Sequence, residues 1–433
     1  MTIQQLYDIY LQHPAISTDT RKIAHGSLFF ALKGDKFDAN TFAKQAQEAG
    51  AAYTVIDNAQ YYINDKCILV DDVLTTLQQL AAHHRRQLTI PFIGLTGSNG
   101  KTTTKELIKA VLSQHYKTYA TSGNLNNHIG VPLTILGIDS SMEMAVIEMG
   151  ANHQKEIEQL CSITHPSHGL ITNVGKAHLE GFGGVEGVKK GKGELYDYLK
   201  TNNGTTFVNH DSSILQNMVD ERSLNNVIYY GSDPANNVSG ELLENSPYLK
   251  LRWKFKDGEY DTVQSQLTGA YNMDNILAAI CIGNYFKLSP DEINAGISGY
   301  QPQNNRSQIT KTTSNTLICD YYNANPSSMF VAIENIGKLP EAHKVVILGD
   351  MFELGEESAA EHVGVVQKAM QTRIAEHIFI GPEFYKQNGK INATFYKTVE
   401  DAQAGLKANP IKNSTVLIKG SRGMALETLV ELF

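Results

Sequence analysis

Gly94–Glu106 reads GLTGSNGKTTTKE. The run leading into it, Ile90–Leu95 (IPFIGL), is short and apolar, as a buried strand would be. After Lys101, the residues Leu107, Ile108, Val111 and Leu112 recur at helical spacing. The glycines therefore fall between a strand and a helix. Small residues there let backbone N–H groups close around phosphate oxygens. On this reading Gly97, Ser98, Asn99, Gly100, Lys101, Thr102 and Thr103 hold ATP or a similar nucleotide. Lys101 reaches the terminal phosphates, and the Thr102 hydroxyl ligates Mg²⁺, which takes hard oxygen ligands. The glycine rhythm departs from the usual phosphate-loop template. Counting back from Gly100, the position the template gives to its first glycine is Leu95, and the glycines stand at 94, 97 and 100. The loop alone names a nucleotide and does not separate a kinase, a motor ATPase and a ligase.

Outward from the loop, the chain divides into three units. Residues 1–85 carry short strand-like runs (Ser27–Leu32, Tyr53–Ile56, Ile68–Val70) and a helical segment at Leu74–Arg86. Residues 86–300 carry strand-like segments ending at Leu95, Glu148 and Val174. They then change to short β-type runs (Thr206–Val208, Val227–Tyr230, Tyr248–Phe255), with Leu224–Asn226 and Asp233–Ser239 as turns. GAYNMDNILAAICIGNYF, from Gly269, closes the unit as a buried helix. Residues 301–433 alternate strand and helix, with strands at Thr316–Asp320, Lys344–Gly349, His377–Gly381 and Thr415–Gly420. The expected class is α/β with three domains, the last an open parallel, Rossmann-like sheet. In such sheets ligands sit at the carboxyl ends of the strands. Asp320, Asp350 and Lys419-Gly420-Ser421-Arg422 stand at those ends.

The bulk numbers agree with three globular domains: 433 residues, 42% hydrophobic and 19% charged. A net charge of −8 without a basic run argues against nucleic acid or an anionic membrane surface as partner. No apolar run approaches the roughly 18 residues of a membrane span, and the N-terminus lacks a signal-peptide pattern. Cys67, Cys161, Cys281 and Cys319 are widely spaced, which suggests buried free thiols and a cytoplasmic protein.

Further stretches recur in order: NLNNHIGVPLTIL (Asn124–Leu136), EMGANH (Glu148–His153), NVGKAHLEGFG (Asn173–Gly183), KGE (Lys192–Glu194), GAYNMDNILAAI (Gly269–Ile280), DYYNANPSS (Asp320–Ser328), ILGDMFELGEE (Ile347–Glu357) and KGSRGM (Lys419–Met424). Together with Gly-x-x-Gly-x-x-Gly-Lys-Thr they resemble the Mur ligase and folylpolyglutamate synthase superfamily, whose members join a carboxylate to an amine using ATP. The resemblance covers all three units. STDTR (Ser17–Arg21) and GSLFFALKGDKFDANTF (Gly26–Phe42) are similar to a uridine-nucleotide domain. Thr20 replaces the common serine there, and Ala39-Asn40 replaces Gly-His.

The resemblance implies a reaction and a cast of residues. The carboxylate of UDP-MurNAc-tripeptide attacks the γ-phosphate of ATP, and the amine of D-Ala-D-Ala attacks the resulting acyl phosphate. Lys101, Glu148, His178 and Lys192 would be catalytic. Thr102, Glu148 and His178 would hold two Mg²⁺, and Lys192 would carry a CO₂-derived carbamate. Asn272 and Asn275 would reach the adenine, with Tyr271 in place of a frequent histidine. Arg306 and Asp320 would reach phosphate and ribose as the last domain closes over ATP. Thr20, Arg21, Asn126, Asn127, Asn323, Asn325 and Lys419 would contact the acid and amine substrates. The stretch Asn323–Ser328 (NANPSS) lacks the arginine of diaminopimelate-adding members, which favours a dipeptide as the amine. A monomer is expected. Two alternatives stand beside this reading. One is a MurE-type or folylpolyglutamate-type ligase. The other is a switch or motor ATPase, which leaves the ordered motifs unexplained.

Overall fold

A computed structural model describes residues 1–34, 36–303 and 305–433. It contains three α/β sheets in succession. The first has four parallel strands: Ile16–Ser17, Leu28–Phe30, Tyr53–Ile56 and Cys67–Leu69. The helix Val73–Gln87 follows, started by Asp72, whose Oδ1 accepts the N–H of Thr75 at 2.6 Å. It joins the first unit to the second. His84 reaches the Ile138 carbonyl at 2.8 Å, and Arg85 donates to the carbonyls of Thr164 and His165.

The central sheet has nine strands. Seven are parallel, in the order Val238–Asn245, Val227–Gly231, Thr205–Asn209, His168–Ile171, Phe92–Thr96, Met144–Glu148 and Thr118–Ala120. Leu249–Phe255 and Asp261–Gln264 extend one edge antiparallel. The order carries the functional argument. From Phe92–Thr96 the chain runs to the edge strand Thr118–Ala120, returns to insert Met144–Glu148 between the two, then crosses to place His168–Ile171 on the other side. This switch point opens a crevice at the carboxyl ends of Phe92–Thr96, Met144–Glu148 and His168–Ile171.

The third sheet runs Gln308–Lys311, Thr316–Asp320, Thr415–Lys419, Lys344–Gly349, Glu376–Ile380 and Thr394–Tyr396. All pairs are parallel except the first. Thr415–Lys419 inserts between two earlier strands and brings Lys419 into register with Asp320.

Most element boundaries shift by one to three residues from the sequence reading, and two of the differences have a clear physical cause. The strand expected to end at Val174 ends at Ile171; the Thr172 N–H still donates to the Thr96 carbonyl, while the side chains of Thr172 and Asn173 turn onto the phosphate loop. The turn assigned to Asp233–Ser239 stops early. Val238 and Ser239 already belong to a strand, where Val238 is buried opposite Phe255. Tertiary pairing overrides local turn composition there. All four cysteines are free and buried. Among the described residues, no helix is long and apolar enough to cross a membrane.

Candidate active site

A cleft of about 710 Å³ lies between the central and third domains, with Lys101, Glu148, His178, Arg306, Asp320 and Lys419 on its walls. The phosphate loop forms its floor. Gly97 and Gly100 hold φ of 148° and 79°, and Gly100 starts the helix Lys101–Leu112. A Cβ on Gly100 would stand 2.7 Å from Asn275 Oδ1, so no larger residue fits without displacement.

The next strand clamps the loop. The Asn99 N–H donates to Asn173 Oδ1 at 2.9 Å. Thr172 Oγ1 and Asn173 Nδ2 donate to the Asn99 carbonyl at 2.6 and 3.0 Å. The Ser98 hydroxyl donates to the Gly175 carbonyl at 3.1 Å. Donors fixed in this way need no reorganisation when charge arrives. Sequence reasoning singled out neither Thr172 nor Asn173, although Asn173 opens the NVGKAH stretch.

Lys101 folds over its own loop, its Nζ donating to the carbonyls of Gly97 at 2.7 Å and Ser98 at 3.3 Å. Burial pushes its pKa below the usual lysine value. Glu148 ends its strand fully buried. Its Oε1 accepts from Thr102 Oγ1 at 3.2 Å and from Asn126 Nδ2 at 2.8 Å, and its own N–H donates to Thr121 Oγ1 at 3.0 Å. Among the described residues, Glu148 Oε2 is buried with no partner. A carboxylate oxygen left so is costly unless a cation or donor arrives. Mg²⁺ fits this donor set, because it is held by one or two carboxylates with substrate phosphates completing its shell. Among the described residues no group of three or more His, Cys, Asp or Glu gathers as an all-protein metal cage.

His178 has a left-handed backbone (φ 52°), and its Nδ1 pairs with Glu353 of the third domain. That hydrogen bond lowers the Glu353 pKa. Sequence reasoning did not single out Glu353. Lys192 is buried behind the cleft wall. Its Nζ donates to the carbonyl of Ala151, a cleft residue, at 3.0 Å and lies 4.9 Å from the centre of the Phe182 ring. Burial, then repulsion from Lys101, holds its pKa well below the usual lysine range. Glu194 does not pair with it. That carboxylate accepts the N–H groups of Lys155 at 2.6 Å and Glu158 at 3.0 Å.

Asn272 and Asn275 reach the cleft, but their amides are committed. Asn275 Oδ1 accepts from Thr104 Oγ1 at 2.9 Å, Asn275 Nδ2 donates to Asn272 Oδ1 at 2.8 Å, and Asn272 Nδ2 donates to the Thr268 carbonyl at 2.8 Å. They lock the helix Asn272–Tyr285 to the phosphate-loop helix. Asn127 likewise caps the helix Gly130–Leu136, its Oδ1 accepting the Gly130 N–H at 2.8 Å.

The third domain sits closed on the central one. Lys176 Nζ meets Glu361 at 2.5 Å, and the Lys176 N–H donates to Ser327 Oγ at 2.9 Å. Asn325 Nδ2 donates to Asn99 Oδ1 at 2.8 Å, while its Oδ1 accepts the Ser328 N–H at 2.9 Å and starts the helix Pro326–Lys338. Lys419 Nζ pairs with Asp320 Oδ2 at 2.7 Å and contacts the Asn323 carbonyl at 3.3 Å. The Arg306 guanidinium lies 3.7 Å from the centre of the Tyr322 ring, with its Nε buried and unpartnered. Asp350 is not at the cleft: it is buried and accepts the N–H groups of Glu383 and Phe384 at 2.8 and 3.0 Å.

In the first domain, Thr20 and Arg21 lie away from this cleft. Arg21 is exposed and pairs with Asp19 at 2.7 Å. Asn40 is fully buried and structural. Its Nδ2 donates to Asp38 Oδ1 at 2.7 Å and Asp57 Oδ1 at 2.8 Å, and its Oδ1 accepts the Asp57 N–H at 3.0 Å.

The same organisation occurs in known proteins. Three family models match in chain order: Mur ligase family, catalytic domain, over residues 14–85; Mur ligase middle domain over 95–283; and Mur ligase, glutamate ligase domain, over 305–422. The UDP-N-acetylmuramoyl-tripeptide–D-alanyl-D-alanine ligase of Bacillus subtilis is 36% identical, covering 96% of this chain and 92% of its own. The Escherichia coli enzyme of that name is 35% identical over 99% and 97%. Among solved structures, MurF from Acinetobacter baumannii superimposes with a TM-score of 0.88 at 28% identity, over 99% of this chain and 98% of that one. MurF from Thermotoga maritima, in complex with ADP, gives 0.84 at 25% identity, over 97% and 96%. With a phosphate loop, a buried acidic strand end and a closing third domain in that order, and with relatives matching across them all, this chain belongs to the Mur ligase family.

Proposed function

We propose that this protein is the ATP-dependent ligase that joins D-alanyl-D-alanine to the terminal carboxylate of UDP-N-acetylmuramoyl-tripeptide, giving the pentapeptide precursor of peptidoglycan, ADP and phosphate. The carrying observation is likeness to enzymes of that name along the whole chain, 36% and 35% identical, so that it includes the nucleotide cleft and both substrate-bearing domains. The ADP complex of the Thermotoga relative supports ATP as the nucleotide.

Each step makes a demand that residues of this chain can meet. The acid must be activated, because hydroxide is a poor leaving group and phosphate a good one. The reaction gathers negative charge, so catalysis is largely positioning and neutralisation. Lys101 and the loop N–H groups beyond the clamp, on Gly100–Thr103, would hold the phosphates, since those of Ser98 and Asn99 already donate to Asn173. Arg306 would add positive charge from the third domain, its unpartnered Nε free to donate. Thr102 and Glu148 would hold Mg²⁺, with His178 beside a second ion after release from Glu353. Bound Mg²⁺ would supply charge neutralisation on the phosphate oxygens. Asn323 and Asn325 would present the amine, and Asp320 the ribose. In the first domain Thr20 and Arg21 would contact the uridine nucleotide. On this reading the enzyme works in the cytoplasm as a monomer, on two anionic substrates brought together by closure, with no nucleic acid or membrane partner.

The test is ADP release by purified enzyme with ATP, Mg²⁺ and UDP-MurNAc-tripeptide. D-Ala-D-Ala should stimulate it strongly, and single amino acids should not. Stimulation by a single amino acid and none by the dipeptide would overturn the reading.

A further inference from the structure

D-alanyl-D-alanine carries a carboxylate as well as the reacting amine. A buried or half-buried carboxylate needs a cation, and planar guanidinium matches it best. The loop after Thr316–Asp320, which carries the NANPSS stretch, contains no arginine of its own. The nearby lysines are engaged: Lys419 with Asp320 at 2.7 Å and Lys176 with Glu361 at 2.5 Å. Two guanidiniums share the ring of Tyr322 in that loop. Arg306 lies 3.7 Å from the ring centre and Arg422 lies 5.2 Å from it. Arg422 Nη1 also donates to the Tyr322 hydroxyl at 3.4 Å.

These two arginines differ in setting. Arg306 is part-buried on the cleft wall, among residues that include Lys101. Arg422 is exposed, on the turn Arg422–Met424 just beyond the Lys419 strand end. Among the described residues the ion-paired arginines are Arg21, Arg222 and Arg252, and neither Arg306 nor Arg422 is among them. The ring fixes Arg422 by cation–π contact and by the hydroxyl, which leaves most of its donors unused. Asn323, the neighbour of Tyr322, lines the cleft.

We propose that Arg422, held against Tyr322, captures the C-terminal carboxylate of the amine substrate and so sets the preference for a dipeptide acid. The proposal rests on the ligase reading above. It replaces an arginine within the loop with one delivered from the adjacent strand end.

The test compares Arg422→Ala and Arg422→Lys with the parent enzyme, using D-Ala-D-Ala and its C-terminal amide. With the parent, the amide should raise KM at least tenfold, the scale of a charge-assisted hydrogen bond. Arg422→Ala should raise KM for D-Ala-D-Ala to a similar extent, with KM for ATP and UDP-MurNAc-tripeptide unchanged. It should show no added penalty with the amide. Arg422→Lys should recover part of the loss. If Arg422→Ala raised KM for acid and amide by the same factor, so that the variant still preferred the acid tenfold, or raised KM for the UDP-tripeptide instead, the proposal would be overturned while the ligase stayed intact. A parent enzyme that ignores D-Ala-D-Ala altogether would overturn both.

Discussion

Asn325 Nδ2 donates to Asn99 Oδ1 at 2.8 Å across 226 residues of sequence, tying the loop after Thr316–Asp320 in the third domain to the glycine-rich loop of the central one. The same Asn325 caps its helix through its other amide atom. One side chain therefore starts a helix and reports closure. Asn325→Ser separates the two roles, because serine is an equally good, uncharged cap but is too short to reach Asn99 while it caps the helix. Thermal stability should hold, while kcat/KM falls by roughly fivefold, the worth of about 1 kcal/mol for a neutral hydrogen bond. The double variant with Asn99→Ala should lose little more than Asn99→Ala loses alone, because the partner is already gone. Fully additive losses in that double-variant cycle would show that the contact does not couple the domains.

Glu148 presents a different balance. Thr102 and Asn126 both donate to Oε1, and Oε2 has no partner. Glu148→Gln keeps an oxygen for both donors but removes the charge. It should lower kcat by at least about a hundredfold, roughly 2.7 kcal/mol of barrier, without lowering the melting temperature. A melt with a parallel ADP-release assay checks both halves. Retained activity would remove Glu148 from the metal-binding role.

Much of this site was legible because its signals are local. The phosphate loop announces itself through a strand, glycines and a helix within one short stretch. Asp320 and Lys419 are the last residues of their strands, and a parallel sheet places such ends together. What escaped the sequence reading depends on partners far along the chain. Thr172 and Asn173 looked like the tail of a strand, and only the return of that strand beside Phe92–Thr96 turns them onto Asn99. Glu353 meets His178 only through closure of another domain. Asn40, read as a departure at a ligand contact, proved to be a buried bracket between Asp38 and Asp57.

That bracket has a measurable weight. Asn40→Ala would take one donor each from Asp38 Oδ1 and Asp57 Oδ1 and the acceptor from the Asp57 N–H, inside the first domain and beside the Lys33–Asp57 ion pair at 2.8 Å. Leaving buried polar groups unsatisfied costs about 1–3 kcal/mol. The variant should melt earlier and raise KM for the UDP-tripeptide, with KM for ATP unaffected. An unchanged melting curve would contradict the structural role.

The central sheet should weaken in mild acid through His168. Its ring packs against Phe207, Tyr285 and Phe286, and burial pushes its pKa down to about 4. The unfolded chain binds that proton near pH 6.5, so it holds more protons than the folded chain between pH 6.5 and 4. Stability from this group is present above that window and is lost as pH falls through it. The upper bound is about 3 kcal/mol for a shift of this size. His168→Phe should flatten the fall in unfolding free energy between pH 6.5 and 4, as read by denaturant titration. An equally steep fall in the variant would assign acid sensitivity elsewhere.

Lys192 joins energetics to chemistry most directly. A lysine this deeply buried, with one carbonyl and one ring for company, is costly as a cation. Its lowered pKa gives more of the neutral amine, the form that adds CO₂. The resulting carbamate would turn a buried positive charge near Lys101 into a negative one, relieving the repulsion that helps depress the lysine. Lys192→Ala should therefore lose most activity while staying folded, since it removes a desolvated charge rather than a packed apolar chain. Formate or acetate, small enough to enter the space left behind, should restore part of the rate, and chloride at the same ionic strength should not. Full activity in the alanine variant, or equal rescue by chloride, would leave Lys192 with a packing role alone.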